Sequence, residues 1–404
     1  MKKFIVVVAL LALVAGSAFA GVTTATKLQS QANYPGVLVP GSVIGMGTFV
    51  TDLSIMSNVA LLEVVDGDAY GLTVLKSDLG TFAASVAENS LLGLGWATAL
   101  DGMNVAAMIQ YGVVTDGTEL KDEVLAAPLT LTSNYNQTLD LTLGAALQGD
   151  MPMDLSLNFG LAGTEAVAKD YATDKSITEI TTTTVSVMNI GAAARMGLGD
   201  GLKAVLDVNY LMGSSSVKAK EADTSSVTEG SLLSVAALIG KDIKASESLT
   251  VKIASGVEVA SDSVVMNTAK GATTSYSLVD GDSSTGIVIP FNFAVEGKLN
   301  ETWSVSSGVE ARLLAASFGA ENVIEDNTSS STKVYRTSSS LNILDPLTLV
   351  PVTYVGYAIG TTAKIGDLTL DLNVNPGILM NGPEFISGNG VTLNTDLAVV
   401  YNWK

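Results

Sequence analysis

The chain of 404 residues contains no cysteine and no histidine. Without cysteine there is neither a disulfide-stapled secreted domain nor a lipid attached to a thiol after a leader. Without histidine, Ser-His and Asp-His catalysis are excluded, and the commonest metal ligand is missing. Aromatic residues are only 6% and charged residues only 15%. Past residue 20 no apolar run approaches the roughly 18 residues of a spanning helix. Helical membrane proteins are thereby ruled out, and abundant apolar residues rule out a disordered acidic chain. What is present is 47% hydrophobic residues and a mean hydropathy of +0.40, combined with a net charge of −19. An apolar excess of that size without long apolar runs has to come from alternation.

Residues 1–20 read as a cleavable secretory leader, with Lys2 and Lys3, an apolar stretch from Phe4 to Gly16, and the small-residue ending Ala18-Phe19-Ala20. Cleavage would leave 19 basic residues against 40 acidic ones in residues 21–404, a balance of −21. Nucleic acid is a poor partner for such a surface.

Beyond the leader, segment after segment alternates apolar and polar residues with period two, the signature of a strand with two different faces. Met153 to Leu161 is the cleanest: Met153, Leu155, Leu157, Phe159 and Leu161 share a face opposite Asp154, Ser156, Asn158 and Gly160. The pattern recurs over Leu139–Leu147, Leu202–Tyr210, Leu249–Val259, Ile287–Val295, Trp303–Leu313, Leu368–Val374 and Val391–Trp403. Helical spacing is absent. Six short turns, at Leu100 to Gly102, Gly149-Asp150, Gly199 to Gly201, Lys241 to Ser248, Leu299 to Glu301 and Gly366-Asp367, alternate with six long polar connections. The long ones are Val114–Asn136, Gly163–Thr181, Gly213–Gly230, Ser261–Thr285, Gly319–Pro346 and Pro376–Gly390.

Tight turns at one end, long loops at the other and strands of about ten residues resemble the bacterial outer-membrane β-barrel class, broadly the porin-like proteins, over the whole of residues 21–404. The closing strand carries the most specific match. Tyr401, Val399, Leu397, Thr395, Leu393 and Val391 share a face that ends on the aromatic Trp403. Such an ending resembles the signal by which outer-membrane assembly machinery takes up its clients, here Tyr401 and Trp403, although Lys404 follows the aromatic that normally ends the pattern. The fold expected is all-β, a transmembrane antiparallel up-and-down barrel of about 14 strands. The count rises to 16 if Asp66-Gly67-Asp68 joins Met56–Val65 to Tyr70–Lys76, and falls to 12 if a weak hairpin lies outside the membrane. Residues 21–40 hold Pro35 and Pro40, lack alternation, and read as a periplasmic lead-in or a segment inside the lumen.

Strand charges sort to one face. Asp140, Asp154, Lys203, Asp207, Lys252, Glu258, Glu296, Glu310, Arg312, Lys364, Asp371 and Asp396 all lie opposite the apolar side. A lipid-facing Lys or Arg near mid-bilayer costs roughly 2 to 4 kcal/mol, so this face is the inner one and these residues are the candidate pore lining. Eight acids against four bases would make a water-filled lumen mildly cation-preferring; alternatively the groups pair across a filled lumen. Trp303 and Trp403 near one strand end, and Tyr111 and Tyr210 near the other, suit interfacial girdles. Gly93-Leu94-Gly95 and Gly197-Leu198-Gly199 precede no helix, and Asp66-Gly67-Asp68 and Asp280-Gly281-Asp282 lack the remaining ligands of a calcium loop. No enzyme, cofactor or metal is expected. The leading expectation is an outer-membrane channel for passive diffusion of small hydrophilic solutes or ions. A transporter for a specific, for example hydrophobic, compound with residues 21–40 as a plug, and an adhesive or structural barrel with a closed lumen, are the alternatives. Partners are then outer-membrane lipid, the assembly machinery and small solutes, with homo-oligomerisation left open.

Overall fold

The computed structural model describes residues 22–65, 68–87, 92–116, 129–149, 151–171, 177–219, 224–270, 274–276, 281–320, 354–374 and 395–403. The leader and the connection 376–390 lie outside these residues. The first strands are β1 (Val59–Val65), β2 (Asp68–Ser77), β3 (Gly80–Ala87), β4 (Leu92–Leu100), β5 (Met103–Asp116) and β6 (Leu129–Leu147). The tallest part of the wall is β7 (Met153–Tyr171), β8 (Ile177–Gly199), β9 (Leu202–Ala219), β10 (Thr224–Lys244) and β11 (Leu249–Lys270). A three-residue strand, β12 (Thr274–Tyr276), pairs only with the tip of β11. β13 (Gly281–Lys298), β14 (Trp303–Ala320), β15 (Tyr354–Ile365), β16 (Leu368–Val374) and β17 (Thr395–Asn402) complete the wall. Each long strand pairs antiparallel with its neighbours, and β1 closes on β17 with Val59 opposite Asn402 and Val64 opposite Leu397.

Among the described residues the closed barrel therefore has 16 strands, not 14. The two added strands are β1 and β2, close to the segments flanking Asp66-Gly67-Asp68. That connection, however, sits at the long-loop end. The seventh short turn is Asp78-Leu79, between β2 and β3. Its sequence is Ser77-Asp78-Leu79-Gly80 with Gly80 at φ 122°, a turn signal outside the six expected from sequence. By contrast, Asp101-Gly102 and Asp200-Gly201 have positive φ at both positions (35° and 81°; 49° and 73°), the backbone that lets a two-residue hairpin follow the twist of its strands.

The strands also outrun their alternation. β8 has 23 residues and β11 has 22, whereas roughly 9 to 11 tilted residues cross a bilayer. Much of what reads as long polar loop, such as Thr164 to Tyr171 and Ser214 to Ala219, is strand continuing past the apolar band. There both faces meet water, so alternation disappears while Ser and Thr still suit the pleated backbone. The register fixes where the band ends. Ile109, Leu141, Phe159, Ile190, Tyr210 and Leu233 lie side by side on six consecutive strands, all exposed on the outer face. Two rows further out the same face reads Gln137, Gly163, Ser186, Ser214 and Glu229.

Residues 22–56 do not form strands. They fold into helix α1 (Ala25–Gln29), a 3-10 turn at Gly36–Leu38, helix α2 (Val43–Thr48) and a second 3-10 turn at Val50–Ile55. Thr24 and Ser42 cap the two helices, accepting from the backbone N–H of Lys27 and Gly45. The all-β antiparallel barrel stands and no strand is expected over residues 21–40; what these short helices correct is the expected absence of helical structure. Their apolar residues face inward and outward alike because the segment is enclosed, so no single-faced helical stripe develops.

Candidate functional site

The enclosed segment is a plug. Its C-terminal half forms an apolar seam with the wall: Met46, Val50, Leu53 and Met56 pack with Val59, Leu61, Leu72, Val74, Ala83, Ala97, Ala106, Met108, Ala398 and Val400. Its N-terminal half is joined to the opposite wall by polar contacts. Thr24 Oγ1 donates to Asp371 (2.8 Å), the Thr26 N–H to Glu63 (2.5 Å), and Lys27 Nζ to Glu296 (2.8 Å) and Thr362 (2.9 Å). Further along, the Ser30 and Ser306 hydroxyls lie 2.6 Å apart, Lys252 Nζ donates to Gln31 (2.9 Å), Asn292 Nδ2 to the Ala32 carbonyl (2.8 Å), and Asn33 Nδ2 to Glu310 (3.1 Å). Leu28, Tyr34 and Leu38 gather on Phe49 and on the wall residues Ala193, Val205 and Ala254. Burial, followed by the nearby charge of Asp242, raises the Tyr34 phenol well above its ordinary range. It stays a neutral donor, directed at the Ile253 carbonyl.

Where plug and wall come closest, the wall residue is glycine. A Cβ on Gly95 would stand 2.7 Å from Leu53 Cδ1, one on Gly144 2.9 Å from Val50 Cγ1, one on Gly240 2.7 Å from Leu38 Cδ1, and one on Gly308 2.7 Å from the Gln31 backbone. At Gly308, where the neighbour is backbone, a Cβ would force the plug away, whereas at the other three the Leu or Val side chain would have to shift.

Arg195 on β8 is the central polar contact. It is 3% exposed and bonds Asp52 of the plug through both terminal nitrogens, Asp154 of β7 through Nε (2.8 Å), and the Val37 carbonyl (3.3 Å), with Phe49 beneath its guanidinium at 4.5 Å. Fork geometry and complete pairing are what make a buried guanidinium tolerable.

All twelve residues singled out on strand parity share the inward face. Glu296, Glu310, Lys252 and Asp371 bond the plug directly, and Asp154 reaches it through Arg195. Glu258 pairs with Arg312, Lys203 Nζ with Asp242 (3.3 Å), and Asn209 donates to Asp207 and Asn373 to Asp396. Asp140 lies inward beside Gly160, and Lys364 is exposed at the short-turn end of β15. Arg195, Glu63, Asp52 and Lys27 escaped the parity reading. Higher up, Val187, Leu211, Leu232 and Ala260 form a small inward apolar cluster. Trp303 and the tyrosines 111 and 210 are exposed, but Trp403 is 4% exposed. It stacks with Tyr401 (centroids 6.1 Å apart) and its N–H donates to the Asn58 carbonyl, so it fastens the closing seam rather than facing lipid as a girdle residue.

The fold is that of a bacterial outer-membrane β-barrel. No protein-family model and no curated protein matches the chain. Solved structures with which it aligns include the translocator domain of the autotransporter NalP from Neisseria meningitidis, 12% identical over 75% of this chain and 89% of that one, TM-score 0.34. The Pseudomonas putida toluene transporter TodX is 10% identical over 96% of both chains, TM-score 0.37. The ferric yersiniabactin uptake receptor FyuA from Yersinia pestis is 11% identical over 78% of this chain and 53% of that one, TM-score 0.43.

Proposed function

We propose that the protein is a gated outer-membrane channel, closed at rest by residues 22–56 and passing small polar solutes, cations in preference to anions, when that segment moves. The observation that supports this reading is the plug itself, which meets wall residues from β1 to β17. Among the described residues, the start of β1 and the end of β17 lie at the same end as the short turns, which in this class faces the periplasm. The apolar belt supports insertion of the barrel in a membrane, here read as the outer membrane, with residues 1–20 as the export leader and Tyr401 and Trp403 serving recognition by the assembly machinery. No catalytic role is proposed.

A second reading, uptake of a hydrophobic compound, is favoured by the inward cluster Val187, Leu211, Leu232 and Ala260. Planar-bilayer recordings separate the readings. Full-length protein is expected to open in brief steps, and a variant lacking residues 22–56 to conduct steadily, with folding verified by heat-dependent electrophoretic mobility. Vesicles that admit an apolar fluorescent probe faster than small sugars would favour the second reading. Folded protein that is silent with and without its plug would leave only an adhesive or structural barrel.

A further inference from the structure

The two halves of the plug are fastened by different proportions of apolar and polar contact. Residues 43–58 bury Met46, Val50, Leu53 and Met56 against an apolar wall, and pulling them out would expose that whole seam to water. Residues 22–40 bury Leu28, Tyr34 and Leu38 against Ala193, Val205 and Ala254, but meet β13 to β16 through an ion pair and hydrogen bonds, which water can replace. Between the halves lies Gly41 at φ 77°, a backbone joint that most residues adopt only with strain. The bonds an opening latch must break or carry across that joint include the Thr23 N–H to the Gly41 carbonyl (3.2 Å), the Val43 N–H to the Thr23 carbonyl (3.0 Å) and the Ser42 hydroxyl to the Gly36 carbonyl (2.9 Å), together with the packing of Leu28 and Leu38 on Phe49.

We infer that residues 22–40 swing away as a latch about Gly41 while residues 43–58 stay fixed, and that the passage uncovered along β11 and β13 to β17 selects for small cations. The latch has wall carboxylates as partners at Glu63, Glu296, Glu310 and Asp371, and it carries Lys27 away with it. The inward wall cations on those strands are Lys252, Arg312, which pairs with Glu258, and Lys364 at the short-turn end, while Arg195 stays neutralised by Asp52 and Asp154. An opened latch thus turns a paired seam into an acid-lined one, and rings of such groups set ion preference. This inference rests on the channel reading.

The absence of native cysteine allows a direct test. Ser30→Cys with Ser306→Cys, whose hydroxyls are 2.6 Å apart, ties the latch to β14. Ser54→Cys with Asn104→Cys, joined by a 3.1 Å hydrogen bond, ties the fixed half to β5. Oxidation of the first pair is expected to abolish conductance, reversibly with dithiothreitol, and oxidation of the second to leave it intact. Conduction through the oxidised first pair, or loss with the second, overturns the inference. Glu296→Gln/Glu310→Gln should shift the reversal potential in a KCl gradient toward lower cation preference, and an unchanged potential overturns the proposed lining. If the wild type never conducts, the channel reading fails, but hydrogen exchange still decides the latch. Amides of 25–39 must lose protection before those of 43–56, and simultaneous loss or the reverse order sinks it.

Discussion

Arg195 holds two aspartates, a carbonyl and an aromatic ring from a position with almost no solvent access. Removing one member of a buried ionic set leaves the others uncompensated, at a cost of roughly 3 to 5 kcal/mol. Asp52→Ala is expected near the lower figure, because Asp154 stays in place, and to make the plug open to limited proteolysis while the barrel retains its heat-dependent mobility. Unchanged resistance would mean that the apolar seam alone holds the plug. Inward charges on well-alternating strands were legible in the sequence, since parity alone places them. Arg195 was not, because Gly191-Ala192-Ala193-Ala194 puts small residues on both faces and erases the alternation that would assign it a side. Glu63 was hidden for the opposite reason: its inward neighbours Leu61 and Val65, like its outward ones, are apolar, Leu61 because it packs in the dry seam of the plug.

At the level of strands, one element spans two solvents. Leu157 is 62% exposed within the apolar belt, while Thr184 lies on the same outer face beyond it. Leu157→Arg is expected to lower stability in vesicles by roughly 2 to 4 kcal/mol, and Thr184→Arg by little, both read from urea unfolding midpoints. Equal effects would displace the belt. The alternating half of each strand could be read from sequence because lipid and lumen impose opposite demands on its faces. The half beyond the belt could not, because water on both sides imposes none. The same limit explains the missing hairpin β1–β2, whose run Leu61-Leu62-Glu63-Val64-Val65 faces lipid outside and largely apolar plug inside.

For the whole molecule, orientation follows from which turns are short. Leu79 stands 77% exposed at the short-turn end, and Lys218 is exposed at the other. With no native thiol to interfere, Lys218→Cys should react with an impermeant maleimide on intact cells, and Leu79→Cys only after the outer membrane is breached. The reverse pattern would invert the barrel and, with it, the side from which the plug is released.

The closing seam has a bearing on how the barrel holds together. β1 and β17 meet over the six pairs from Val59–Asn402 to Val64–Leu397, a far shorter edge than those between the central strands. Against that edge lies α1, with the Thr26 N–H on Glu63 of β1 and Thr24 on Asp371 of β16, beside Ala398. Residues 24–26 thus become the mortar of the joint at which the barrel closes. The short β1–β17 edge therefore shares its load with the plug, and a chain stripped of that segment would close the ring on those six pairs alone.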